Sequence, residues 1–205
     1  MIHDFAVKLG TIIAAELKIT ERQAIITYGL EITIGALVKL ICFLVLSLAL
    51  GIFPQVITAV LASGVFRLAA GGAHCTAYYR CLVSSLITFL GIGALARYLA
   101  NYSLPLEIIV TSVTIWSLVI VLRWAPADTP AKPVTSPAQR KGLRLASGSI
   151  IGIYLATGLC APLPADLILA ISLGFFIQAS TITPAGYHWI ETVDRILERV
   201  GYFPA

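Results

Sequence analysis

The 205-residue chain is 59% hydrophobic and 12% charged, with a mean hydropathy of +0.93 and a formal net charge of +4. A soluble domain carries roughly 25% charged residues, so this composition excludes a soluble enzyme and predicts an all-α integral membrane protein. Four cysteines in such a polytopic chain do not make a disulfide framework.

The opening residues alternate polar and apolar and carry Asp4, unlike the basic start and apolar run of a cleavable signal peptide. Insertion is expected to rely on internal segments. Over residues 2–17, Ile2, Phe5, Val7, Leu9, Ile12, Ile13 and Leu17 are interspersed with Asp4, Lys8 and Glu16, a loose amphipathic helix suited to a bilayer surface. Six apolar segments follow, at 32–53, 56–70, 82–99, 106–122, 145–159 and 167–182. Several are shorter than the roughly 20 residues that cross a ~30 Å hydrocarbon core, so some are expected to be re-entrant or to extend into polar flanks. Cys42 and Cys160 sit inside apolar runs and read as small packed hydrophobes. Glu31 and Lys39 lie about two helical turns apart and are spaced to face a polar interior or a helix contact. Residues 187–200 form a second amphipathic stretch, with Trp189, Ile190, Val193, Ile196, Leu197 and Val200 on one side and Glu191, Asp194, Arg195, Glu198 and Arg199 on the other. One membrane domain over 1–205 is the simplest organisation.

Basic residues set the orientation. Lys8, Lys18 and Arg22 precede the first span, Arg67 and Arg80 flank the second connection, and Arg123, Lys132, Arg140, Lys141 and Arg144 crowd the fourth. Arg195 and Arg199 follow the last span, while the alternate connections hold Glu107 and Asp166 with Arg97 as their base. The positive-inside rule then predicts a multi-pass protein of the cell membrane with both termini and the basic connections in the cytoplasm.

The chemistry gathers in Arg67-Leu-Ala-Ala-Gly-Gly-Ala-His74-Cys-Thr-Ala-Tyr-Tyr-Arg-Cys81. A thiolate is the nucleophilic form of cysteine, and it is favoured by nearby cations and by a histidine that takes the proton. Gly71 and Gly72 permit a turn or a close backbone approach. Were residues 74–81 one α-helix, His74 and Cys81 would share a face but stand about 10 Å apart along its axis, beyond the roughly 3 Å of a hydrogen bond. A working pair therefore requires His74 to lie in a bend. Residue chemistry alone does not rank Cys75 against Cys81 as nucleophile. His74, Cys75 and Cys81 also make an incomplete zinc set, without an evident fourth ligand or a strong metal spacing, so no metal or other cofactor is expected. No nucleic-acid partner is expected either. A packed helix junction is the bland alternative for the same residues.

Arg67-x6-His74-x6-Cys81, with Gly72 two residues before the histidine, resembles the active-site region of the accessory gene regulator B (AgrB) family of membrane cysteine endopeptidases. Trp124-Ala-Pro-Ala-Asp128-Thr-Pro-Ala-Lys132-Pro133 resembles that family's cytoplasmic loop, with Trp124 where a tyrosine is common. The two motifs occur in the family's order, and length, segment number and the basic central connection extend the likeness over nearly the whole chain. The resemblance implies about six transmembrane or partly re-entrant helices with amphipathic ends. It implies cleavage of a small AgrD-like precursor peptide into a cyclic autoinducer, with Cys81 as nucleophile, His74 as general base, and Arg67 and Gly72 in support. Cys75 falls where the family pattern assigns no catalytic role. Beside these, Asp128 is a candidate third member of a triad or a turn residue. Lys132, Arg140 and Lys141 are candidates for holding the precursor's acidic tail or signals of topology alone. Membrane lipid and a second copy of the chain are the other expected partners. A peptide exporter or a non-enzymatic signalling scaffold is the alternative function, and neither needs a thiol at residue 81.

Overall fold

The computed structural model describes residues 2–102, 105–127, 135–158 and 163–200. These are helical, with no strand among the described residues. The chain forms two compact units, one running to Val45 and the other beginning at Leu46.

In the first unit, α1 (Ile2–Glu16) is followed by a 3-10 turn (Thr20–Arg22) and by α2 (Gln23–Ala49), within which the unit boundary falls. Ala6, Gly10 and Ala14 of α1 are buried, so its small residues make the contact face while Phe5, Ile12 and Leu17 stay exposed. Gln23 donates to the Thr11 hydroxyl at 2.8 Å, and His3 Nδ1 lies 3.2 Å from Glu31 Oε2. The helix α2 starts nine residues before the apolar segment read from the sequence, because helix formation continues through Gln23–Leu30 once the apolar run anchors it.

The second unit contains α3 (Phe53–Ala70), α4 (Tyr78–Leu99), α5 (Leu106–Trp124), α6 (Pro137–Gly158), α7 (Ala165–Ser180) and α8 (Pro184–Arg199). α7 is the hub and packs against α3, α4 and α5. Small residues allow this closeness: a Cβ on Gly174 would stand 2.7 Å from the Ala59 carbonyl, and one on Gly93 would meet Val56 at 2.5 Å. Small residues let apolar helices approach closely enough to gain van der Waals contact where lipid offers no hydrophobic drive. Polar side chains tie the same seams. Tyr154 of α6 donates to the Ile168 carbonyl at 2.7 Å and lies 2.9 Å from the Ser172 hydroxyl, to which Thr114 of α5 donates at 3.3 Å. Phe175 stacks edge-on against both Phe66 and Tyr154.

Among the described residues, four helices are long and apolar enough to cross a membrane: α3, α4, α5, and α2 together with the turn before it. The bent pair α7 and α8 makes a fifth if counted as one span. α7 alone has 16 residues, about 24 Å of helix, and α6 carries Arg140, Lys141 and Arg144 in its first turns. Polar flanks and partial crossings are expected of several short segments, and α6 and α7 have that form. α7 stops at a 90° elbow. Thr183 caps α8 by accepting from the Gly186 amide at 2.9 Å, and Pro184 occupies its first turn, a pairing that starts a new helix rather than continuing the old one. Cys160 lies outside the described residues.

Candidate active site

Three helix ends meet where α3, α5 and α7 finish. α3 is closed by Gly71, whose φ of 72° is a backbone conformation that favours glycine, and its amide donates to the Arg67 carbonyl at 2.9 Å. Ala127, just past α5, donates to the Ala70 carbonyl at 2.8 Å and bridges Gly71. Arg144 of α6 donates to the Ala125 carbonyl at 2.7 Å. Ala73 donates to the Thr181 carbonyl in the α7 elbow at 3.2 Å. The chain from Gly71 to Ala77 is thus irregular backbone held between helix ends, and α4 begins only at Tyr78. His74 therefore lies in a bend, as a working pair with Cys81 requires.

Arg67 and Gln178 shape this bend. The Arg67 guanidinium donates to the Gly72 carbonyl at 3.1 Å, the Ala73 carbonyl at 2.7 Å and Gln178 Oε1 at 3.0 Å. Gln178 Nε2 in turn donates to the Gly71 carbonyl at 2.8 Å. Three successive carbonyls are so gathered onto two side chains from α3 and α7. Gly72 has φ 138°, and a Cβ there would stand 2.5 Å from Thr181 Oγ1 and 2.8 Å from Gln178 Nε2. Both backbone conformation and space demand glycine at this position.

His74 is exposed and Cys81 is half-buried in the first turn of α4. The Cys81 sulfur lies 4.0 Å from the Ser85 hydroxyl, which donates to the Cys81 carbonyl at 2.6 Å. Arg67 is within electrostatic range of both Cys81 and Tyr187, the latter in the first turn of α8. Cys75 is 3.8 Å from the Ser84 hydroxyl. Burial, the largest influence, pushes its thiol above the ordinary range, with Cys81 and Asp194 adding to the rise against the opposing hydrogen bond from Ser84 and the charge of Arg80. At neutral pH that shift leaves Cys75 with less thiolate than a free cysteine.

The structure brings Arg67, Gly72, His74 and Cys81 into one segment and sets Arg140 and Lys141 at the start of α6, whose Arg144 anchors it beside this end of the unit. Asp128 and Lys132 lie outside the described residues. Among the described residues no three His, Cys, Asp or Glu side chains converge as a metal site. Sequence reasoning missed Gln178 and Thr181, although a glutamine inside the apolar run 167–182 is the kind of intramembrane polar residue that flags function. It also placed Asp194 on the polar face of an interfacial helix. Asp194 is instead buried, 7% exposed, and accepts from the Thr76 amide at 3.2 Å and the Thr76 hydroxyl at 2.7 Å.

The family model for accessory gene regulator B matches residues 6–182. The chain belongs to the accessory gene regulator B family. That family takes part in processing autoinducer peptides. A Clostridium perfringens (strain SM101 / Type A) protein that carries the name AgrB-like protein is 25% identical over 98% of this chain and 100% of its own length. Listeria proteins named in the same way resemble this AgrB-family chain too. The one from Listeria welshimeri is 27% identical, and the one from Listeria monocytogenes serotype 4a (strain HCC23) is 28% identical, each over 85% of this chain and 83% of its own. No solved structure matches the chain significantly.

Proposed function

We propose that this AgrB-family protein is a membrane-embedded cysteine endopeptidase that cuts the C-terminal part from a small AgrD-like precursor peptide. The observation that carries the reading is the Arg67–Gln178 brace. It bends the chain at Gly71–Ala73, so that His74 stands outside any helix while Cys81 opens α4 within electrostatic range of Arg67.

In the first step His74 takes the Cys81 thiol proton and the sulfur attacks the scissile carbonyl. The C–N bond breaks, the leaving amine receives the proton from His74, and a Cys81 thioester remains. A thiol or hydroxyl of the bound precursor then attacks that thioester within the same molecule, where effective molarities of ~10⁵ M or more operate. A thiolactone or lactone closes and the Cys81 thiol is restored. The Arg67 charge has the sign that steadies the sulfur anion or the tetrahedral oxyanion. Ring closure competes with hydrolysis of the thioester, so keeping water from it favours the cyclic product. Arg140 and Lys141, together with Lys132, act as docking cations for an acidic tail, and Asp128 is the candidate third member of a triad. The raised Cys75 thiol suits a bystander. Arg67, Arg80, Arg140, Lys141 and Arg144 flank this one end of the second unit, which supports a cytoplasmic active site in the cell membrane.

The test is reconstitution in lipid with a cognate precursor, followed by mass spectrometry of the products. Wild type and Cys75→Ala are expected to release the C-terminal fragment, whereas Cys81→Ala and His74→Ala are not. Cleavage by Cys81→Ala at the wild-type rate would refute the assignment of the nucleophile.

A further inference from the structure

The carboxylate of Asp194 grips the active-site segment at two points between His74 and Cys81. Thr76, two residues after His74, gives it a backbone amide and a hydroxyl at 3.2 and 2.7 Å. Arg80, the residue before Cys81, places Nε 3.4 Å from Asp194 Oδ1 and Nη1 3.4 Å from the Asp194 carbonyl. Arg80 is 3% exposed, and its Nε makes an ionic contact rather than an aligned hydrogen bond. The outer face of the clasp is closed by Glu198, 3.5 Å from Arg80 Nη1. Tyr187, Glu191, Asp194 and Glu198 follow the spacing of one helical face, and along that face Tyr187 reaches the electrostatic surroundings of Arg67. A helix that reads as a surface anchor therefore lies across the bend. Asp194 also falls beyond the residues matched by the family model.

We infer that Asp194 is a positioning residue, which fixes the distance between His74 and Cys81 by holding Thr76 and Arg80 on one buried carboxylate. The inference rests on the proposed pairing of those two residues. Its physical basis is that seven residues of irregular chain and helix start have many conformations, of which few bring an imidazole to a thiol. A misplacement of about 1 Å costs roughly 10²-fold in rate. The clasp removes the alternatives before substrate arrives, and a buried carboxylate with several donors is costly to displace.

The experiment measures iodoacetamide alkylation of Cys81 at neutral pH, by peptide mass spectrometry on the full chain in liposomes. Backgrounds with His74 and with His74→Ala are compared. Asp194→Ala, Asp194→Asn and Thr76→Val are each expected to slow alkylation about tenfold when His74 is present and to have no further effect when it is absent. The pair Asp194→Asn with Thr76→Val is expected to cost no more than Asp194→Asn alone, since that change already weakens the contact that Thr76→Val removes. Arg199→Gln, exposed and off the Asp194 face of α8, is the control and is expected to leave the rate unchanged. In precursor cleavage the same variants should lower kcat 10–100-fold, with KM changed by less than about threefold. Equal slowing in both backgrounds, or none in either, overturns the inference. Wild-type protein that shows this alkylation pattern but does not cleave its precursor would retire the endopeptidase reading and leave the positioning role standing.

Discussion

The two ends of the second unit are both polar, and they are built differently. At the end holding Cys81, side chains from α3 and α7 bind backbone: Arg67 and Gln178 take the carbonyls of Gly71, Gly72 and Ala73. At the other end, Gln55 donates to Asp166 at 2.5 Å and Arg97 donates to the Gly51 carbonyl, around an open cavity of about 520 Å³. That cavity is lined by neither cysteine nor histidine. The first end thus spends buried polar groups on holding an irregular segment that carries a nucleophile and a base, while the second joins helix ends to one another. Polar residues at a helix junction are common to both. Irregular backbone fixed by side chains, next to a thiol and an imidazole, distinguishes one.

The comparison is broken most severely by removing the reacting groups. Cys81→Ala is expected to reduce precursor cleavage by at least about 10³-fold, and His74→Ala by about 10²–10⁴-fold, measured as fragment release per unit of protein. Next comes the bend itself. Gly72→Ala forces a side chain into a φ of 138° and against Thr181 and Gln178, a strain of about 1–3 kcal/mol. It should lower the thermal midpoint and abolish cleavage together. Asp166→Ala at the opposite end should remove about 1 kcal/mol of stability through the lost Gln55 bond, with kcat held within about twofold because the site is distant. The smallest effect is expected at Cys75. Cys75→Ala should retain cleavage within about twofold, and in wild type the pH dependence of Cys75 alkylation should lie above that of a free thiol. The sign follows from burial: a raised thiol loses its proton later as pH increases, so its reactivity also rises later.

Much of this site was legible in the sequence because Arg67, Gly72, His74 and Cys81 lie within fifteen residues of one another, and the need for a bend followed from the axial rise of a helix alone. The helices were legible from apolar runs, although their ends were not. α2 begins at Gln23 and α6 at Pro137, since polar residues continue a helix that apolar neighbours have nucleated. What a single sequence does not contain is which distant residues return to the bend. Gln178 and Asp194 come from more than a hundred residues downstream. Asp194 shares its face of α8 with Glu191 and Glu198, whose side chains are exposed, so nothing in its local pattern separates a buried clasp from a solvated charge. Only the elbow at Thr181–Thr183, which turns α8 back across the start of α4, gives that carboxylate its partners.

The most direct measurement is the intact mass of the lipid-reconstituted protein after brief exposure to precursor, with the adduct mapped to a residue and then treated with hydroxylamine. A hydroxylamine-labile precursor adduct on Cys81, absent from Cys81→Ala and retained in Cys75→Ala, is the predicted result. Fragment release with no adduct on Cys81, or an adduct mapped to Cys75, would contradict the account.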